Sequence, residues 1–284
     1  MLDEKYVIGI CTTGTRATLD LFLDKFIPTL NEHSENLRIV IAINGVGNIK
    51  VAQLPNLTIV RELRPGIAYA RNRVLQEVNP DENLIFIDDD EYPDEQWFTN
   101  LTRAHKQFPT DIIFGPVYEV DDGGEVVKDS KIRPMRNLAT GTLLKSAATN
   151  NLLIPSNIIG SRHLYFDIYF NRGGSDSDLT IRLGNAGYLI RWVSDAILYE
   201  VQDSERSNSD WAYNRNCRNS ALYPLVILRN SSVPYIFAYF LKKLFQVCIY
   251  FFLQIFGIKF KKKYHLFKLS IKSLLTGDSG LYSD

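Results

Sequence analysis

Residues 84–93 read LIFIDDDEYP, so that four apolar residues lead directly into four acidic residues and a proline ends the stretch. An unbroken apolar run of this length, bounded by a breaker, predicts a strand buried on both faces. Such strands lie in parallel sheets covered by helices, and ligands bind where the strands end. The adjacent carboxylates of Asp88, Asp89 and Asp90 repel one another unless a cation lies among them. The stretch predicts either a divalent-metal site for a phosphorylated substrate, suited to Mg²⁺ or Mn²⁺, or a solvated acidic turn.

The composition indicates a folded chain with one large domain and an appendage. Of the 284 residues, 45% are hydrophobic and 23% are charged, which is typical of globular proteins and not of disordered ones. Lys+Arg and Asp+Glu both number 32, so the whole chain is not a polycation and we expect no nucleic-acid partner. Three distant cysteines indicate a reducing compartment, and no Cys/His spacing resembles a zinc site. Residues 1–5 lead directly into a strand, so we expect no signal peptide.

Apolar runs alternate with segments of helical periodicity along the first half of the chain. Strands are predicted at residues 6–11, 37–43, 57–60, 84–87 and 111–115, and helices at 18–30, 67–78 and 95–108. This alternation with short connections predicts an α/β fold with a doubly wound, mostly parallel sheet. A further strand is predicted at 151–155, where a proline ends it, and strands at 189–193 and 196–200 are expected to close the sheet.

A second acidic segment, GGSDSD at residues 173–178, precedes a predicted helix that ends at Gly187. Asp176 and Asp178 fall at the start of this helix, where the helix dipole and free N–H groups favour carboxylates. Capping alone accounts for such residues. Two glycines just upstream, however, let the backbone fold tightly against a ligand, so we expect one aspartate to take part in chemistry.

The order of these motifs resembles that of the family 2 glycosyltransferases, which are inverting nucleotide-sugar transferases. The matching segments are CTT at 11–13, Asn44 where that family more often has Asp, PGIAYARN at 65–72, the DXD-like DDD at 88–90 and GSDSD at 174–178. The resemblance covers about residues 7–218. It implies the GT-A fold, which is Rossmann-like and built on a doubly wound, mostly parallel sheet.

The resemblance also implies a role at each matching position. Asp90 would bind the metal, Mn²⁺ or Mg²⁺, that bridges the diphosphate of a nucleoside-diphosphate sugar. Asp176 would be the general base, and Asp178 would orient the start of the helix. The expected donor contacts are Thr12 and Asn44 in the base pocket, Asp88 at the ribose or base, Arg71 and Arg206 at the diphosphate, and Asp89 in the same motif.

Two positions depart from the family pattern. Ser175 stands where glutamate is common, so this position carries no charge. Glu200 falls near the place where many relatives have a metal-binding histidine. Glutamate is an acceptable hard-oxygen ligand, so we expect Glu200 to be a second metal ligand, with a structural role as the alternative.

The chemistry of sugar transfer needs the same groups. The leaving diphosphate must be neutralised, which a divalent cation and arginines supply. One carboxylate on the opposite face of the sugar suffices to deprotonate the acceptor hydroxyl, and attack from that face inverts the anomeric carbon. We therefore expect an inverting glycosyltransferase that acts on a glycan or lipid-linked acceptor. A nucleotidyltransferase on a similar sheet and a non-catalytic sugar-binding relative are the alternatives.

The last part of the chain is apolar and basic. We expect a catalytic domain over residues 1–228 and a helical region over residues 229–284. Residues 244–258 contain only Gln246 and Gln254 as strongly polar residues, and lysines at 242–243 and 261–263 flank them. A spanning helix needs about 20 apolar residues, and the apolar run at 244–258 is shorter than that. We therefore favour an interfacial or re-entrant helix on the cytoplasmic face of the membrane of a bacterial-type cell. A single span and a core helix packed on the catalytic domain are the alternatives.

Overall fold

The computed structural model describes residues 4–14, 18–33, 35–49, 56–121, 123–130, 135–201, 209–255 and 261–279. The chain divides into two compact units, Met1–Gln202 and Asp203–Asp284. Each unit is described by itself.

The first unit is built on an eight-stranded sheet. Its strands are β1 (Lys5–Thr12), β2 (Leu37–Asn44), β3 (Leu57–Glu62), β4 (Glu82–Asp88), β6 (Ile112–Phe114), β8 (Leu143–Leu144), β9 (Leu152–Ile154) and β10 (Ile190–Trp192). Their spatial order is β3-β2-β1-β4-β9-β6-β10-β8. Strands β1 to β4 run parallel, and β9 is antiparallel to both β4 and β6. The predicted α/β fold with a mostly parallel sheet is confirmed.

Helices cover both faces of this sheet, and alternate side chains of β4 lie in the two cores that these helices form with the sheet. The helices of this unit are α1 (Thr18–Glu32), α2 (Ile67–Leu75), α3 (Trp97–Gln107) and α4 (Ser175–Asn185). Ile85 and Ile87 lie in the core that contains side chains of α1 and α3. Leu84 and Phe86 lie in the core that contains side chains of α2 and α4. Because successive side chains of a strand point to opposite faces, β4 is buried as far as Asp88, where the carboxylates begin.

A smaller sheet of three strands follows the acidic turn. It consists of β5 (Glu91–Pro93), β7 (Val117–Val120) and β11 (Leu198–Val201), in the order β5-β11-β7. The predicted strand at 196–200 therefore belongs to a second sheet and does not close the first one. Gly115 and Pro116 separate β6 from β7, so the chain leaves the large sheet there and enters the small one.

The second unit consists of the helices α5 (Ser209–Asn230), α6 (Val233–Ile255) and α7 (Lys261–Thr276). Helix α7 packs on both α5 and α6: Ser270 Oγ donates a hydrogen bond to Ser220 O at 2.9 Å, and the rings of Tyr250 and Phe267 stack. The units separate at residue 202, whereas the sequence placed a domain boundary after residue 228, which lies inside α5. The functional assignment of the two predicted domains stays a prediction.

Helix α6 contains the stretch Val233–Leu253, whose mean hydropathy of 1.6 and length of 21 residues would allow it to cross a membrane. No residue of this stretch is buried inside the structure. Among the described residues it is the one helix with these properties.

Candidate functional site

The acidic turn at the end of β4 brings three carboxylates together. Strand β4 ends at Asp88 and β5 begins at Glu91, so only Asp89 and Asp90 separate the two strands. One oxygen atom each of Asp88, Asp90 and Glu91 lie within 4.8 Å of one another. Hard oxygen ligands at this spacing fit one divalent cation of the Mg²⁺ or Mn²⁺ type. Glu91 was not predicted as a member of this group, although it continues the acidic run.

Glu91 is a buried carboxylate whose two oxygens each accept one hydrogen bond. Its side chain is 1% exposed. Oε1 accepts a hydrogen bond from Asn150 Nδ2 at 2.8 Å, and Oε2 accepts one from the backbone N–H of Asp88 at 3.2 Å. The buried hydrogen bonds of Glu91 therefore hold the acidic turn in place, while Asp88 and Asp90 are half-buried at the protein surface.

Arg71 joins the two acidic segments. It lies on α2 with 9% exposure, and its Nη1 donates a hydrogen bond to Ser175 Oγ at 3.1 Å. Its Nη2 lies 3.9 Å from Asp88 Oδ1, and the guanidinium stacks over the ring of Phe166. One buried cation thus contacts the acidic turn on one side and, on the other, the residue that precedes Asp176.

The two aspartates at the start of α4 differ in their burial and in their hydrogen-bond partners. Gly173 and Gly174 have positive φ angles of 143° and 83°, which allow the tight approach to the helix. Asp178 is 2% exposed and pairs with Arg182 at 2.8 Å. Asp176 is half-buried, and its Oδ1 accepts a hydrogen bond from the N–H of Ser177 at 2.9 Å. Asp178 is thus committed to a buried ion pair, and Asp176 is the aspartate that a substrate can reach.

Thr12 and Asn44 lie at the ends of β1 and β2, where both make local hydrogen bonds. Thr12 is 4% exposed, and its Oγ1 accepts a hydrogen bond from Gly14 N at 3.0 Å. Asn44 donates to the carbonyls of Glu62 and Arg64, and its Oδ1 accepts from Gly66 N at 2.7 Å. Asn44 therefore shapes the turn that leads into α2, and its expected contact with a base stays a prediction.

Two groups next to the site have shifted pKa values. Cys11 pairs with Asp88 across β1 and β4, and loss of hydration raises the pKa of its thiol to about 12. The thiol is therefore protonated at neutral pH. A side-chain hydrogen bond from Arg64 lowers the pKa of Glu62 to about 2, so this carboxylate is ionised.

Glu200 and Arg206 complete the set of expected residues. Glu200 is 3% exposed on β11 and lies directly opposite Glu91 of β5, but it is outside the group of three carboxylates. On its other side it pairs with Glu119 of β7. Its role as a second metal ligand stays a prediction. Asp89 is 8% exposed and also lies outside that group, and Arg206 lies outside the described residues.

Comparison with known proteins identifies the class. Residues 30–166 match the family model "Glycosyl transferase family 2". The fold is similar to that of S. aureus TarS 1–349 in complex with UDP-GlcNAc, with a TM-score of 0.56, 12% identity, and coverage of 96% of this chain and 92% of that one. It is also similar to GalNAc-T7 with UDP, GalNAc and Mn²⁺, with a TM-score of 0.54, 12% identity, and coverage of 71% and 45%.

The chain spans 45% of the GalNAc-T7 chain and 40% of the longer TarS chain, so it corresponds to less than half of each of these proteins. The comparison with curated proteins finds no match. Residues 30–166 thus match a glycosyl transferase family 2 domain, and the chain has the fold of two GT-A glycosyltransferases. The predicted resemblance to this family and the predicted fold are confirmed.

Proposed function

We propose that this protein is an inverting glycosyltransferase that moves a sugar from a nucleoside-diphosphate sugar to a hydroxyl group of a glycan or lipid-linked acceptor. The observation that carries the proposal is the position of Arg71, which contacts Asp88 of the acidic turn and Ser175 at the start of α4. The two steps of the reaction, departure of the diphosphate and deprotonation of the acceptor, need charged groups at two neighbouring places. The UDP and UDP-GlcNAc in the similar TarS structures support a donor of this class.

The acidic turn is proposed to hold the donor together with a divalent cation, Mn²⁺ or Mg²⁺. Asp88, Asp90 and Glu91 offer three hard oxygen ligands within 4.8 Å of one another, and Glu200 lies opposite Glu91. When bound, the cation would neutralise charge on the leaving diphosphate. The Mn²⁺ in the GalNAc-T7 structure supports a metal of this kind.

The chain's own residues supply the rest of the donor site. Arg71 is buried and held in one orientation by Ser175, so its positive charge is already in place for the diphosphate. Asp88 and Asp89 are proposed to contact the nucleotide at the end of β4. The further donor contacts that we propose are Thr12 and Asn44 at the ends of β1 and β2, and Arg206.

Asp176 is the proposed base. Its carboxylate takes the proton from the acceptor hydroxyl as that oxygen attacks the anomeric carbon from the side opposite the diphosphate. The bond from the anomeric carbon to the diphosphate oxygen breaks in the same step, and the configuration inverts. Asp178 is unsuited to this role because Arg182 pairs with it inside the protein.

The donor site is tested by thermal-shift and calorimetric titrations with UDP-, GDP- and TDP-sugars, with and without Mn²⁺. We expect one nucleotide class to bind in a Mn²⁺-dependent manner. Asp90→Ala removes a carboxylate of the turn and should abolish the Mn²⁺-dependent part of binding. Asp129→Ala, at an exposed aspartate elsewhere in this unit, is the control and should bind as the wild type does. Full Mn²⁺-dependent binding by Asp90→Ala would contradict the assignment.

The second unit is proposed to attach the enzyme peripherally to the cytoplasmic face of a membrane. Phe237, Leu241, Phe245 and Phe252 of α6 are 61%, 46%, 66% and 60% exposed. Their spacing places them on one face of the helix. Lys242 is exposed next to them, as expected for contact with anionic headgroups. An apolar face of this kind in contact with water marks an interaction surface, and a lipid surface would also present a lipid-linked acceptor.

Flotation with vesicles that contain anionic lipids tests the attachment. The wild-type chain should float with the vesicles, and the double variant Phe237→Glu/Phe245→Glu should stay in solution. Thr99→Glu places one charge at an exposed position of α3 and should float as the wild type does. Equal flotation of the double variant, or no flotation of the wild type, would contradict the proposal.

A further inference from the structure

We infer that Asn150 is a positioning residue for the cation-binding turn and that it acts through Glu91. The inference rests on the proposed function, because it concerns how the acidic turn holds its cation. It assigns a role to a residue that lies about 60 positions away in the sequence from the carboxylates it serves.

The contacts of Glu91 show why a partner is needed. Glu91 is 1% exposed and Asn150 is 3% exposed, so water does not solvate the carboxylate. Asn150 Nδ2 donates to Oε1 at 2.8 Å, which leaves Oε2 turned to the backbone N–H of Asp88 at 3.2 Å. A hydrogen bond to an ionised acceptor inside a protein is stronger than one between neutral groups and fixes the rotamer of the acceptor.

The orientation of the Asn150 side chain depends on the backbone conformation of the next residue, Asn151. Asn151 has a φ of 58°, and among the described residues it alone combines a non-glycine side chain with a positive φ. Its side chain accepts a hydrogen bond from Trp97 Nε1 at 2.9 Å and donates to Pro116 O at 2.8 Å and Ala196 O at 2.7 Å. Three bonds to fixed partners hold this left-handed residue in place, so the preceding residue is held as well.

Gly115 packs closely against the side chain of Asn151. A Cβ atom on Gly115 would lie 2.4 Å from Asn151 Nδ2 and 2.4 Å from Ala196 O. Strand β9 begins at Leu152, which pairs with Phe86 of β4 two residues before Asp88. The pair Asn150 and Asn151 thus connects the start of β9 to the acidic end of β4.

Loss of the Asn150 amide would leave one oxygen of a buried carboxylate without this donor. The carboxylate would turn toward other partners and the spacing of the three ligand oxygens would change. Residues that orient a metal ligand typically contribute 10- to 100-fold to metal affinity, so we expect Asn150→Ala to weaken Mn²⁺ binding by about 10- to 100-fold.

The experiment measures Mn²⁺ affinity of the full chain from the electron paramagnetic resonance signal of free Mn²⁺, and needs no turnover. The variants are Asn150→Ala, Asn150→Leu, Glu91→Gln and the double variant Asn150→Ala/Glu91→Gln. Asn150→Leu fills the volume of the amide without a donor, so it separates the hydrogen bond from a cavity. Asn83→Ala is the matched control. Asn83 is also a buried asparagine, 3% exposed and hydrogen-bonded, but it lies at the end of β4 opposite the acidic turn.

If Asn150 acts through Glu91, both Asn150 variants lose affinity, Asn83→Ala does not, and the double variant binds Mn²⁺ no more weakly than Glu91→Gln alone. Wild-type affinity in the Asn150 variants, or additive losses in the double variant, would overturn the inference while leaving the metal site intact. Failure of both Asn150 variants to fold would also overturn it, because the role would then be structural. Absence of Mn²⁺ binding by the wild type would instead refute the proposed metal site itself.

Discussion

The two acidic segments of the site hold their carboxylates in opposite ways. In the turn at residues 88–91, the buried Glu91 accepts a hydrogen bond from Asn150, and the buried Arg71 lies beside Asp88. At the start of α4, Asp178 is locked to Arg182, while Asp176 is half-buried and bonded to the adjacent N–H of Ser177. A cation site gains affinity from ligands that are fixed before the ion arrives, whereas a base must be reached by its substrate.

The largest effect is expected for Asp176→Asn, because an amide cannot accept the acceptor's proton. Transfer should fall by about 10²- to 10⁴-fold, while donor binding stays unchanged. Steady-state rates and calorimetric titration with the donor measure the two quantities. A variant with normal turnover would remove Asp176 from the mechanism and favour a non-catalytic relative or another base.

Asp178→Asn should act on stability. The pair of Asp178 and Arg182 is largely buried, with side-chain exposures of 4% and 14%, so removal of the carboxylate charge leaves a buried guanidinium whose remaining hydrogen-bond partners are neutral carbonyls. We expect the free energy of unfolding to fall by about 3 kcal/mol. Urea denaturation measures it. A fully stable Asp178→Asn that loses only turnover would reverse the assigned roles of the two aspartates.

Arg71→Lys tests the connection between the segments. Lysine keeps the charge but has no planar fork to reach Ser175 and Asp88 together, so donor affinity should fall about tenfold. Arg73→Lys is the control, because Arg73 lies on the same helix and pairs with Glu77 just beyond its end, away from the two acidic segments. Equal donor affinities of the two variants, measured by calorimetry, would show that the connection does not contribute to binding.

Glu62 gives the smallest expected effect, and it depends on pH. Arg64 lowers the pKa of Glu62 from its ordinary value of 4.5 to about 2, so the folded protein binds this proton more weakly than the unfolded chain does. The stabilisation is present above pH 4.5 and is lost as the pH falls toward 2.

Because Arg64 is mostly exposed to solvent, Glu62→Gln should lower the free energy of unfolding only slightly at neutral pH. The difference between wild type and variant should shrink between pH 4.5 and 2. Urea denaturation at a series of pH values checks this. A difference that stays constant over that range would show that the ion pair is not its origin.

Several features could be read from the sequence because they depend on neighbouring residues. The apolar run of β4 predicted a buried strand, and its acidic end predicted a carboxylate cluster. Gly173 and Gly174 predicted a tight approach to a helix, and both have positive φ. Periodicity and local chain geometry determine such features before the chain folds.

Other features depend on which strands meet, and local patterns do not specify this. The strand at 198–201 looks like any short apolar strand, and only its pairing with β5 and β7 places Glu200 opposite Glu91. Helix α5 runs through residue 228 to Asn230 and packs with α7, and the compact units separate at residue 202.

The sequence alone thus determined the fold class, the resemblance to a family and the two acidic segments, because hydrophobic periodicity and motif order are carried by the chain itself. Only the tertiary structure decided that Asn150 faces Glu91 and that Arg71 lies between Asp88 and Ser175. Asn150 is 59 residues from Glu91, and Arg71 is 104 residues from Ser175. Arg71 and Asp88 lie on a helix and a strand, respectively. These contacts therefore form only when the sheet and the helices pack together.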